Sequence, residues 1–335
     1  MTTPRSTARG LLAVAAVLAL AAAGCSSEGG KQEEEKSDSG TAGVADTPRY
    51  TIAMITHEVP GDTFWDLVRK GAEAAAKKDN IELRYSNNPD GPEQANLVQS
   101  AIDSKVNGIA VTLAKPDALQ GAVRQAVNAR IPVVALNAGL EQWKAMGVTE
   151  FFGQDESIAG EAAGQRLAQE GAKKVLCVIH EQGHVALEAR CAGVKKGFGG
   201  AGVVENLNVN SKDMPSVKST ITAKLQQDKS VDRVITLGAP IAITAVESAK
   251  ESGAAAKVVT FDTNKELVGS IRSGDVQWAI DQQPYLQGYL AIDSLWLYLS
   301  NGNVIGGGQT VLTGPSFIDQ TNIESVAQYA EKGTR

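Results

Sequence analysis

Residues 108–139 read GIAVTLAKPDALQGAVRQAVNARIPVVALNAG. Two short runs that are apolar throughout, 108–113 and 132–136, flank a helical pattern over 117–129. A strand without polar alternation is buried on both faces, as happens in a parallel sheet covered by crossover helices. Outward from this unit the alternation repeats. Before it come YTIAMI (50–55), a helix over 63–78, IELRY (81–85) and a helix over 92–105. In 63–78, Phe64, Leu67, Val68, Gly71, Ala72 and Ala75 recur at helical spacing, while Arg69, Lys70, Lys77 and Lys78 fall elsewhere. After it, helices are expected at 155–170, 186–198, 215–227, 240–252, 264–272, 284–300 and near 321–331. Strands are expected at 174–179, 202–208, 232–237, 257–261 and 276–280, followed by VLTG and SFID. The pattern predicts an α/β protein with two doubly wound parallel-sheet domains, and a first crossing between them near Phe152–Asp155. No repeat of 20–50 residues is present, which excludes a solenoid.

The amino-terminal stretch has a different character. Arg5 and Arg9 precede GLLAVAAVLALAAAGC (10–25), whose apolar core is followed by small residues directly before Cys25. This is an export signal over residues 1–24, too short in its apolar core to span a bilayer, which takes roughly 20 such residues. A cysteine just after the cleavage site resembles a bacterial lipobox, which implies acylation of Cys25 and tethering at the outer face of the plasma membrane. The alternative is an ordinary secretory peptide with a chance cysteine. Residues 25–49, including SSEGGKQEEEKSDSGTAGVADT, hold almost nothing to bury and read as a disordered spacer. Loss of residues 1–24 moves the net charge from −6 to −8, and such an acidic surface argues against nucleic acid as a partner.

Two further cysteines, Cys177 in VLCVI and Cys191 in EARCAG, sit in one local unit. Outside the cell they either pair or remain two separate buried thiols. His180-Glu181-Gln182-Gly183-His184 matches the H-E-x-x-H zinc signature by letter. That chemistry needs both imidazoles on one helix face, whereas this segment follows a strand and contains Gly183. A zinc hydrolase is therefore the minor alternative; no metal, no cofactor and no enzyme activity are expected. The same segment still lies at the carboxyl end of a strand, where open α/β sheets bind ligands.

Other polar and aromatic residues stand at strand ends too. Asp62, Phe64 and Trp65 follow YTIAMI, Asn137 follows PVVAL, Arg190 comes after the HEQGH loop, Asp262 follows KVVTF, and Gln282 follows VQWAI. Asp62 either accepts a ligand hydroxyl or caps the next helix. Phe64 and Trp65 either stack on a ligand or pack into the core.

These segments, FWDLVRKGAEAAAKK, GIAVTLAKPDAL, IPVVALNAG, RCAGVKKGF, VVTFDTN and IDQQPYLQGYLAI, together resemble the ribose-binding type of periplasmic sugar-binding protein. These are the solute receptors of ABC importers, with the periplasmic binding protein type I fold. The resemblance runs from about residue 50 to 330. It implies two lobes joined by a three-strand hinge, with crossings near Phe152–Asp155, Gln282–Pro284 and Thr313–Pro315. One lobe comprises 50–153 with 284–312, the other 155–281 with 315–330. It further implies that Phe64 and Trp65 sandwich a sugar, whose C–H faces suit aromatic rings. Arg190, Asp262 and Gln282 match the family's polar contacts, Arg190 offering its fixed fork of donors. On this basis Ala at Arg190 or Asp262 abolishes the ligand response and leaves the unliganded melt nearly unchanged.

Two positions depart from the family. Asn137-Ala138 stands where Asp-Arg is usual, and Gly238-Ala239-Pro240 where the loop after VITL usually offers Asn-Asp. Ribose itself is therefore not the expected ligand, and His57, Glu58, Glu181 or His184 are candidate replacements. A different pentose, a hexose, a linear polyol or a cyclitol fits. The expected partner is a membrane permease, met as a monomer; a receptor feeding a sensor kinase or chemotaxis protein has the same sequence features.

Overall fold

The computed structural model describes residues 44–335; the export signal, Cys25 and most of the spacer lie outside the described residues. Residues 45–47, which composition assigns to the spacer, are held against the body. The Ala45 N–H donates to the Lys78 carbonyl at 2.7 Å, and Trp296 Nε1 donates to Thr47 Oγ1 at 3.1 Å.

The strands are β1 (Tyr50–Thr56), β2 (Ile81–Asn87), β3 (Gly108–Thr112), β4 (Val133–Leu136), β5 (Glu150–Gly153), β6 (Lys174–Ile179), β7 (Val203–Asn208), β8 (Arg233–Thr236), β9 (Lys257–Phe261), β10 (Val276–Asp281), β11 (Val311–Leu312) and β12 (Ser316–Asp319). The helices are α1 (Phe64–Lys78), α2 (Gly91–Asp103), α3 (Pro116–Asn128), α4 (Glu156–Gln169), α5 (Val185–Phe198), α6 (Met214–Gln227), α7 (Ala239–Ser252), α8 (Lys265–Ser273), α9 (Pro284–Asn301) and α10 (Ile323–Lys332). Two six-stranded sheets form among the described residues, in the orders β11-β5-β4-β3-β1-β2 and β12-β10-β9-β8-β6-β7. The chain therefore passes from one sheet to the other after β5, after β10 and between β11 and β12.

The opening stretch shows why these strands read as unbroken apolar runs. Ile109, Val111, Val133 and Ala135 face one buried cluster, while Ala110, Val134 and Leu136 face another on the opposite side of the sheet. Both faces are dry, so period-two alternation vanishes. The second sheet is built likewise: Leu176 and Val178 lie on one face, Val175, Cys177 and Ile179 on the other. Cys177 on β6 and Cys191 on α5 are disulfide-bonded, with Cα atoms 6.0 Å apart.

Two features depart from the sequence expectation. Glu150–Gly153 is a strand, hidden in the sequence because a glutamate and a glycine flank only two apolar residues. Strand β12 runs antiparallel to β10, so the second sheet is not wholly parallel.

One packing detail bears on the site. Helices α4 and α5 meet at glycines: a Cβ on Gly160 would strike the Arg190 carbonyl, and one on Gly193 would reach the Ser157 carbonyl. Their absence lets the two backbones close together, and this brings Glu156 at the start of α4 to Arg190 on α5. No helix among the described residues is long and apolar enough to cross a membrane.

Candidate functional site

Because the strand orders of the two sheets correspond, equivalent strands deliver equivalent residues to the space between them. His57 follows β1 and His180 follows β6; Gln154 follows β5 and Gln282 follows β10. Asn137 after β4 and Asp262 after β9 both adopt left-handed backbone, with φ of 65° and 66°. Each N–H is fixed by the neighbouring strand, Asn137 to the Phe152 carbonyl at 2.9 Å and Asp262 to the Ile280 carbonyl at 2.8 Å. Asn and Asp tolerate this region better than most residues, and such backbone is typical of positions where a side chain must be aimed.

One cavity lies between the sheets. From the first sheet's side it is lined by His57, Asp62, Phe64, Trp65 and Asn137, from the second by Glu181, His184, Arg190 and Asp262, and at the crossing by Gln282. Every residue in the sequence-derived cleft set is brought to this cavity except Glu58. That carboxylate is taken by Arg69 at 2.9 Å, Tyr85 Oη at 2.6 Å and Asn87 at 3.0 Å, and does not line the cavity. His180 also lines the cavity; the sequence places its HEQGH segment at a ligand-binding strand end but does not single this residue out. Sequence reasoning missed Glu156, which does not line the cavity but holds Arg190 from behind; nothing in the sequence singles out this first residue of a helix.

Phe64 and Trp65 pack edge to face with centroids 5.1 Å apart, and Trp65 meets the His57 ring at 4.7 Å. They are only 7% and 3% exposed and belong to a core cluster as well as to the cavity wall. The same two rings thus pack into the core and form part of the cavity wall. Asp62 Oδ1 accepts the Phe64 N–H at 3.1 Å. Burial pushes its carboxyl up to about 7, the Phe64 N–H opposing and the nearby Asp262, Glu58 and Asp66 adding to the rise.

Opposite the rings, a continuous polar chain spans the crossing. Glu156 takes Arg190 in a two-pronged ion pair, Nε at 2.6 Å and Nη2 at 2.9 Å. Arg190 Nη1 donates to the Leu237 carbonyl at 2.9 Å and to Asp262 Oδ2 at 3.4 Å. Protein groups therefore occupy four of the five N–H donors an arginine carries. Gln282 Nε2 donates to Asp262 Oδ1 at 2.7 Å, and Gln282 Oε1 accepts from Gln287 at 2.8 Å and Asn137 at 3.3 Å. Burial raises the Asp262 carboxyl to about 6, with Arg190 and Gln282 pulling it back.

The histidines give a second link between the sheets. His184 caps α5, its Nδ1 accepting the Ala186 N–H at 3.2 Å, so its proton resides on Nε2. That proton points at His57 Nε2, 2.8 Å away, which in turn leaves the His57 proton on Nδ1, 2.7 Å from Thr112 Oγ1. Both rings are neutral in this arrangement. The Val185 N–H donates to the Ala114 carbonyl at 3.1 Å, and Lys115 pairs with Glu181 at 2.8 Å, closing the same side. His180 thus follows a strand, Gly183 turns with φ 77°, and His184 caps a helix. The two imidazoles of the zinc pattern do not share a helix face, and among the described residues no cluster of His, Cys, Asp or Glu is arranged to hold a metal ion.

The arrangement can hold a small neutral molecule with apolar faces and several hydroxyls. A family profile described as periplasmic binding protein domain matches residues 52–303. The crystal structure of a carbohydrate transporter from Acidothermus cellulolyticus 11B, in complex with myo-inositol, is 57% identical and superposes with a TM-score of 0.85 over 86% of this chain and 100% of that one. The xylose/arabinose-binding protein of Sulfolobus acidocaldarius is 26% identical over 84% of this chain and 74% of its own length. A xylitol-binding protein of Mycolicibacterium smegmatis is 25% identical over 70% of this chain and 67% of its own. The relatives named here bind sugars or polyols, and the chain belongs to the periplasmic binding protein family.

Proposed function

We propose that this chain is the extracytoplasmic receptor of an ABC importer and that it captures a neutral cyclic polyol, an inositol-type cyclitol above all, between its two lobes. The observation that carries this is the cavity's lining: two buried rings on one wall, and a carboxylate held in place by Arg190 and Gln282 on the other. A six-membered polyol offers C–H faces to Phe64 and Trp65, and hydroxyls to Asp262, Asp62 and Asn137. With Arg190 already balanced by Glu156 and Asp262, the site has no spare cation to favour an anionic sugar. The myo-inositol bound by the Acidothermus relative supports the cyclitol over an open-chain sugar. A ligand touching both walls favours the closed arrangement, and residues 282–284 lie on a crossing about which the lobes would open.

Calorimetric titration with myo-inositol, xylose, arabinose, ribose and xylitol tests this. Myo-inositol or a stereoisomer should bind, and at 100 times its Kd it should add about 2.7 kcal/mol to stability. Absence of heat and of any melting shift with every one of these compounds would sink the reading. The proposal includes acylation at Cys25, with the residues after it as tether. Cells given labelled palmitate should label the wild-type protein and leave Cys25→Ala unlabelled; equal labelling of both rejects the anchor.

A further inference from the structure

We infer that the binding cavity opens into an apolar side chamber that accepts a small alkyl substituent on the ligand, such as the O-methyl group of a monomethylated cyclitol. This rests on the function proposed above and narrows it to a ligand class.

A second cavity, of about 130 Å³, adjoins the first and shares Val59, Asp62, His180, Ser211, Gly238 and Pro240 with it. It is therefore an extension of the site and not a separate one. Its remaining walls include Met214 at the start of α6 and Ile241 on α7, facing Pro60 of the loop after β1. Val59, Pro60, Met214, Pro240 and Ile241 bring no hydrogen-bonding side chain. Pro240 also removes one backbone donor from the first turn of α7.

The chamber exists because of a short stretch of sequence. Gly238-Ala239-Pro240 occupies the loop after β8, and a Cβ built on Gly238 would meet only His180 Cε1, at 3.4 Å. Gly238 has φ −172°, ordinary extended backbone that any residue adopts, so its conformation does not require glycine. What the glycine supplies is space. Asp62, His180 and Ser211 lie on the boundary shared with the main cavity; beyond them, against Pro60, Met214 and Ile241, a hydroxyl would lose water with few side-chain partners to replace it, whereas a methyl group would gain from leaving water.

Titrating the purified protein with myo-inositol and with each of its mono-O-methyl ethers tests the chamber. At least one ether should bind as tightly as myo-inositol or up to about fourfold more tightly, the gain expected for one buried methyl group. Met214→Trp, which fills the chamber from a residue that does not line the main cavity, should weaken that ether more than tenfold and myo-inositol less than threefold. Should Met214→Trp fail to fold, Met214→Ser should weaken the ether alone. The chamber is refuted if every ether binds wild type more than tenfold more weakly than myo-inositol, or if the Met214 variants weaken both ligands alike. If myo-inositol binds and no ether does, the chamber fails and the proposed function stands. If neither myo-inositol nor any ether binds, the chamber fails, and the proposed function fails with it when xylose, arabinose, ribose and xylitol are also without effect.

Discussion

Arg190→Ala is expected to destabilise the unliganded protein by about 3–5 kcal/mol, the usual effect of removing one partner from a buried ion pair. Read from sequence alone, Arg190 is a donor facing the ligand, and its loss should spare the unliganded melt. The structure alters that expectation. Arg190 is 3% exposed, and two of its nitrogens are committed to Glu156, which is itself 5% exposed. With alanine in its place, the Glu156 carboxylate keeps only the Gln154 amide at 2.8 Å and stays buried without a countercharge. Asp262→Ala is different in kind. It removes the hydroxyl acceptor but leaves the Glu156–Arg190 pair intact, so the ligand response should vanish with a much smaller change in stability. Urea unfolding of the two variants separates these cases. The double variant Arg190→Met with Glu156→Gln should recover most of the lost stability while still failing to bind, because a buried pair replaced together is often neutral. An Arg190→Ala protein within about 1 kcal/mol of wild type would mean that Glu156 finds another partner and that Arg190 serves the ligand alone.

The difference between these two accounts of Arg190 marks what a sequence carries. Strand ends were legible because doubly buried strands are short apolar runs and the next polar residue must emerge at the sheet's edge. Asp262, Asn137 and Gln282 could be placed beside a cleft for that reason alone, and helix bounds follow from apolar spacing to within a residue or two. Glu156 was not legible. Its position as the first residue of α4 looks like an ordinary acidic helix start, and its meeting with Arg190 depends on how closely Gly160 and Gly193 let two helices approach. The same holds for His57 and His184, which lie 127 residues apart and meet only because the sheets face each other. The strand Glu150–Gly153 was hidden for a local reason: a buried glutamate at its start breaks the apolar pattern and is satisfied by the Ile305 N–H, a contact no window of sequence contains.

Lowering the pH from 6 to 4 should cost this protein stability through its histidines, and the slope should change by a predictable amount when one is removed. Burial holds His57 down to about 3 and His180 to about 4, and pushes His184 well below its usual 6.5. Lys115, Arg190 and the histidines themselves face these rings and add to the effect; the Thr112 hydroxyl and the Trp65 ring, also packed there, carry no charge. A histidine depressed on folding contributes stability that is present above 6.5 and is lost as pH falls toward its folded value, at about 1.4 kcal/mol per pH unit. Asp62 and Asp262, raised to about 7 and about 6, act in the opposite sense. Their folded forms prefer the proton, so across the same window each returns about 1.4 kcal/mol per unit as pH falls. Asp79, Glu150 and Glu181, also raised by burial, act in the same sense as these two aspartates, so the share of the three histidines is read from a variant and not from the wild-type slope. His180→Asn removes one of the three without touching the His57–His184 bond, so its stability should fall by about 1.4 kcal/mol less per pH unit than that of the wild type. Urea midpoints at pH 6, 5 and 4 read the difference directly, and the surface contribution cancels between the two proteins. Parallel slopes would mean that His180 is charged in the folded state, and the account of neutral histidines around this cavity would fall with it. The His57–His184 contact sharpens the expectation, because its single proton is donated from one ring and received by the other. A second proton on His57 Nε2 sets N–H against N–H, so charging of His57, below the lower end of this window at about 3, should break that link.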